Sequence, residues 1–106
     1  MTEKNERWPK IMRALLRRPL VKMEAKTRQD GKFLVVMPYS YPRIYFLNEP
    51  AAAYYACYDR ARTGQELADT AAKAFPDVPR STIEHDLAVF LLSMLRCRVL
   101  GHKQRT

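Results

Sequence analysis

The chain predicts an α+β domain of winged-helix-like order: a three-stranded antiparallel sheet followed by three helices, with an extra amphipathic helix in front. Three observations predict it. The stretch Arg43-Ile44-Tyr45-Phe46-Leu47-Asn48-Glu49-Pro50 passes from a β-prone aromatic run into a capped helix with no linker. A hairpin signal, Gln29-Asp30-Gly31, separates two β-prone runs before it. The cap signals Thr63-Gly64-Gln65-Glu66 and Ser81-Thr82-Ile83-Glu84 announce two further helices after it.

Residues 7–18 place Trp8, Ile11, Met12, Leu15 and Leu16 on one helical stripe, because spacings of three and four return to the same face. Lys10, Arg13, Arg17 and Arg18 occupy the remainder, and Pro19 ends the helix. Such a helix suits docking on the domain or on a second subunit, a membrane surface or nucleic acid. Strands are expected at Leu20 to Arg28, Lys32 to Met37 and Arg43 to Leu47. Pro38 and Pro42 exclude a regular ladder partner for the loop before the third, leaving Tyr39 and Tyr41 as exposed aromatic surface.

Asn48 is a good N-cap because its side-chain oxygen can accept from an orphaned amide, and Pro50 fits the first turn of a helix running to about Arg60. The second helix carries a narrow stripe of Leu67, Ala71, Ala74 and Phe75 and stops at Pro76. The third has Ile83, Leu87, Phe90, Leu91, Met94 and Leu95 on its main face, with Val89, Leu92 and Cys97 spreading hydrophobicity to the flanks. Gly101 is expected to close it, which divides the chain into a basic helix (1–18), a recognition domain (19–101) and a frayed tail (102–106).

At 106 residues there is one small domain with one core, and 47% hydrophobic content supports a folded globule. The net charge of +8 implies an anionic partner without choosing among nucleic acid, acidic peptide and acidic protein. Cys57 and Cys97 stand far apart without CxxC or CxxH, so no metal site is expected, and buried reduced thiols are expected ahead of a single disulfide between them. No apolar signal or membrane-spanning run occurs, pointing to a cytoplasmic protein. No catalytic group is expected: Glu84 and Asp86 suit the helix start, His85 suits solvent, Ser40, Ser81 and Ser93 lack a nucleophile motif, and three glycines cannot build a phosphate loop. No cofactor is expected either.

The strand ending Phe46-Leu47-Asn48, the helix start Ala51-Ala52-Ala53, the cap Thr63-Gly64-Gln65-Glu66-Leu67 and the closing helix Ile83 to Leu100 with its Asp86-Leu87 resemble the PqqD-like family over roughly residues 20–101. The resemblance implies a non-catalytic recognition element that holds the leader of a ribosomally made precursor peptide. It also implies presentation of that peptide to a modifying enzyme, often a radical SAM protein. The leader would add as a strand beside the third strand and lie on the third helix. The peptide-binding residues implied are Arg43, Ile44, Tyr45, Phe46, Leu47, Asp86, Val89, Phe90, Ser93, Met94 and Cys97. Arg43, Arg96 and Arg98 are candidates to meet acidic leader side chains. Which face of strand 43–47 is buried stays open, as does homodimer formation through the Trp8 stripe.

The basic helix and the double-proline loop depart from the family core. A winged-helix DNA-binding protein is the alternative, but its recognition helix should offer Arg, Lys, Asn or Gln to base edges, and here that helix opens with Glu84 and Asp86.

Overall fold

The computed structural model describes residues 2–40 and 43–102, with side chains from residue 9 onward. The expectations on Tyr41, Pro42, the Trp8 side chain and residues 103–106 lie outside the described residues. In chain order the elements are α1 (Thr2–Arg17), β1 (Leu20–Lys22), β2 (Ala25–Asp30), β3 (Phe33–Pro38), β4 (Tyr45–Leu47), α2 (Glu49–Ala56), α3 (Gly64–Ala74), α4 (Arg80–Arg96) and β5 (Leu100–His102). β2, β3 and β4 form the three-stranded antiparallel sheet, in that order.

The run from Leu20 to Arg28 is two strands rather than one. β1 pairs antiparallel with β5, Leu20 opposite His102 and Lys22 opposite Leu100. Leu20 also exchanges backbone hydrogen bonds with Arg62, at 2.8 and 3.0 Å. After Glu24 the chain enters β2, whose ladder with β3 runs from Ala25 opposite Pro38 to Asp30 opposite Phe33. The hairpin loop is therefore Gly31-Lys32, with positive φ (60°) at Gly31 alone, the pattern of a II′ turn. Pro38 closes the ladder as the buried last residue of β3 rather than interrupting a loop.

Asn48 caps α2 as expected, its Oδ1 accepting from Ala51 N–H at 3.0 Å. The helix ends at Ala56, one turn before Arg60. α3 has the full capping box: Thr63 Oγ1 accepts from Glu66 N–H at 3.2 Å while Glu66 Oε1 accepts from Thr63 N–H at 2.9 Å. Its buried face is Leu67, Ala68 and Ala71, and Ala74 and Phe75 are exposed. The second capping box does not form. α4 starts at Arg80 behind Pro79 with no side-chain cap, and the Pro79 carbonyl accepts from Thr82 and Ile83. Glu84 turns instead to Arg80, at 2.9 Å, and Arg80 reaches Asp69 of α3 at 2.8 Å. A guanidinium shared by two carboxylates outcompetes the backbone for Glu84.

Gly101 does not terminate α4. Arg98 adopts the left-handed conformation (φ 61°), and Val99 N–H donates back to the Met94 carbonyl at 3.0 Å, which reverses the chain. That reversal drops Val99 and Leu100 into the core and lets Leu100–His102 run as β5, so Gly101 and His102 are strand residues and not tail.

One core joins the layers: Leu16, Leu20, Val36, Leu47, Tyr55, Tyr58, Leu67, Ile83, Leu87, Leu91, Met94, Val99 and Leu100 are all buried in a single cluster. α1 docks on α3 and α4 through Leu16, with Met12 half-buried beside it. Gly64, the first residue of α3, is where Leu16 comes closest: a methyl added there would lie 2.7 Å from Leu16 Cδ2 and 2.9 Å from Leu91 Cδ1.

Candidate peptide-binding site

β4 is three residues long because Asn48 turns the chain into α2 immediately after Leu47. It registers with β3 as Leu34 opposite Leu47, Val35 opposite Phe46 and Val36 opposite Tyr45. No described strand lies on its other side, so β4 is a terminal strand of the sheet. The opposite border, β2, presents Lys26, Thr27, Arg28, Gln29 and Asp30, all exposed and polar, a composition that discourages strand addition.

Alternation along β4 decides which face is inside. Tyr45 and Leu47 point to the core, half-buried and buried respectively. Ile44 and Phe46 are 58% and 60% exposed, and Phe46 meets Phe33 edge-to-face at 6.2 Å on the outer side. The eleven residues named from sequence thus divide between two faces of the sheet, one flank of α4 and, for Met94, the buried row of that helix. Arg43 is exposed at the strand entry.

On α4, Ile83, Leu87, Leu91 and Met94 are the buried row, so Met94 belongs to the floor and not to an open wall. Ala88 and Leu95 lie on the flank turned to neighbouring helices. Asp86, Val89, Phe90, Ser93 and Cys97 form the other flank, where Val89 is 46% exposed, Asp86 and Ser93 are exposed, and Phe90 and Cys97 are half-buried. The Ser93 hydroxyl donates to the Val89 carbonyl at 3.0 Å.

α2 connects strand to helix. It packs on both β3 and β4, and its Tyr54 ring tilts against Phe90 at 5.4 Å. Burial, reinforced by the Asp86 carboxylate and then Cys57, raises the Tyr54 phenol above its ordinary pKa, so it is a neutral hydrogen-bonding group at physiological pH. Tyr54 also borders a cavity of about 430 Å³ between α2 and α3, lined by Pro50, Ala53, Cys57, Leu67, Ala71 and Phe75 among others. Sequence reasoning missed Tyr54, Phe33 and this cavity. Period-two alternation in Phe33-Leu34-Val35-Val36 was the available signal for Phe33, whereas the cavity depends on how two helices cross.

Both cysteines are free and half-buried. Among the described residues no three His, Cys, Asp or Glu side chains gather into a metal site, and no described helix is long and apolar enough to cross a membrane. His85 Nδ1 lies 3.7 Å from Asp86 Oδ1 at the exposed start of α4.

A sheet ending in a short terminal strand, followed by three helices of which the last keeps one mixed flank partly exposed, defines a small α+β domain. The family model described as PqqD, Coenzyme PQQ synthesis protein D, matches residues 34–100, and the chain belongs to this family. No curated protein and no solved structure gives a match. Membership implies peptide recognition in the biosynthesis of modified peptides, alongside the biosynthetic enzymes, by a family of non-catalytic accessory proteins. The matched span begins inside β3 and leaves out α1, β1 and β2.

Proposed function

We propose that this protein holds the leader of a ribosomally made precursor peptide by strand addition to β4 and presents it to a modifying enzyme, a radical SAM protein by family habit. The observation that carries the reading is a terminal strand linked through α2, whose Tyr54 ring meets Phe90, to the exposed Val89 flank of α4. Strand addition supplies affinity that tolerates sequence variation, while side-chain pockets select.

A three-residue strand offers few bonds, each contributing about 0.5–1.5 kcal/mol net. Ordering a flexible leader costs roughly 2–5 kcal/mol. Apolar anchors must therefore supply most of the affinity, at about 25 cal/mol for each Å² of apolar surface removed from water. Val89 and the half-buried Phe90 and Tyr54 rings are the surface on which such anchors would settle. Arg96 stands exposed about two turns beyond Val89, suited to an acidic leader side chain. The exposed Asp86 carboxylate disfavours DNA in the same place.

The test is a fluorescence-anisotropy titration with the leader of a short precursor encoded beside the gene, run with a duplex-DNA control. Val89→Asp should weaken leader binding about tenfold or more, the loss expected when a central apolar contact is replaced by a charge. Amide chemical shifts of residues 44–48 should move on binding. A leader that binds while those amides stay still, or that Val89→Asp leaves unaffected, sinks the reading.

A further inference from the structure

We propose that a second groove, between α1 and the far flank of α4, receives an acidic amphipathic helix from a partner protein. Ile11, Ala14, Leu15 and Arg18 recur at i, i+3, i+4 and i+7 along α1 and form one wall. Leu95 of α4 faces them, Leu20 of β1 lies at the base and His102 of β5 closes one end, around a cavity of about 230 Å³. None of these residues belongs to the leader site, so this surface stands whether or not the leader reading holds.

α1 does not need this row to stay docked. Leu16 and Met12 seat the helix on the core, whereas Ile11 remains 44% exposed although it is aliphatic. The cavity has room for a leucine or phenylalanine side chain, the kind of anchor an amphipathic helix inserts at regular spacing. Charge selects the occupant. Arg18, just past the end of α1, lines the groove, Lys10 and Arg17 are exposed on the side of α1 next to it, and no ion pair joins any of the three to an acid whose side chain is described. A partner helix with aliphatic anchors flanked by Glu or Asp satisfies both features. A second copy of the chain would set these cations against each other, a flat membrane would not enter a concave slot, and a nucleic acid would leave the aliphatic base unfilled.

The experiment titrates the full chain with a fluorescein-labelled helical peptide that carries Leu at i, i+3, i+4 and i+7 and Glu elsewhere. A peptide of identical composition with the leucine stripe shuffled is run beside it. The striped peptide should bind about tenfold tighter than the shuffled one, and Ile11→Glu and Arg18→Glu should each weaken it about fivefold or more, as for a hot-spot anchor and its charge partner. Val89→Asp, in the leader groove, should leave it unchanged, and circular dichroism should show every variant folded. The proposal is overturned if both peptides bind alike. It is equally overturned if duplex DNA or phosphatidylglycerol vesicles displace the striped peptide at equal charge concentration. Sedimentation showing self-association that Ile11→Glu abolishes would also overturn it.

Discussion

Gly64→Ala puts the docking of α1 to a quantitative test. Thr63 caps α3 and Gly64 follows as its first residue, so helix propensity alone favours alanine, by at most about 1 kcal/mol and by less in a first turn. Space opposes it. The new methyl would stand 2.7 Å from Leu16 Cδ2, 2.9 Å from Leu91 Cδ1 and 2.9 Å from Leu16 Cα. The two side-chain carbons belong to residues 2% and 0% exposed, with little room to rotate, and the third atom is backbone, so α1 itself must move. Overpacking of this kind costs about 1–3 kcal/mol, which outweighs the propensity gain and leaves a net loss near 1–2 kcal/mol.

For a domain of this size each kcal/mol shifts Tm by roughly 4–8 °C, so thermal unfolding followed by circular dichroism should show a fall of about 5–15 °C. Leu16→Ala alone should cost about 2–4 kcal/mol by opening a cavity. Because truncating Leu16 removes part of the clash, the double variant should lose measurably less than the two single losses combined. A Tm for Gly64→Ala equal to or above that of the parent, or strict additivity in the double variant, would refute the packing of α1 on this glycine.

Further outcomes are expected elsewhere. The Tyr58 hydroxyl is buried without a hydrogen-bond partner among the described residues, and burial raises its pKa, so Tyr58→Phe should stabilise the domain by about 1 kcal/mol in urea unfolding. Leu91→Ala, at a fully buried position of α4, should cost about 2–5 kcal/mol in the same assay. The Glu66 carboxyl is held below its ordinary pKa by the Thr63 backbone N–H, then by the Thr63 hydroxyl and nearby arginines. A depressed folded-state pKa contributes stability that is present above the unfolded value and is lost as pH falls through the folded value. Glu66→Gln, which keeps the cap geometry without the charge, should therefore lower Tm modestly at neutral pH and converge with the parent in acid, flattening the fall between them. Truncation after Val99 removes β5 and the buried Leu100, so it should lower Tm strongly rather than trim an idle tail.

Local chemistry was legible where a single side chain settles a single backbone group. Asn48 and Thr63 act within three residues of themselves, and Gly31 supplies its own turn conformation, so these boundaries needed no tertiary information. The order of elements and the apolar row Ile83, Leu87, Leu91 and Met94 followed from spacing. The candidate site was legible as a segment and a helix, but not as faces. Residues 44–47 alternate aromatic and aliphatic groups on both sides, and only packing over Val36 and Leu34 turned Tyr45 and Leu47 inward and left Ile44 and Phe46 outside.

Other features depended on partners distant in the chain. Ser81 lost its cap role because α4 begins one residue earlier, behind Pro79, while Glu84 pairs with Arg80 where α3 and α4 cross. β5 escaped notice because three residues have too little pattern to declare a strand, and its partner lies at the opposite end of the sequence. The reversal that creates it uses arginine where glycine is usual. Sequence by itself determined where helices begin, which rows are apolar and that the charge is positive, because those properties reside in neighbouring residues. Tertiary structure alone decided which strand ends the sheet, which flank of α4 is uncovered and how α1 makes a second groove. Each of those is a relation between surfaces that no local stretch of chain contains.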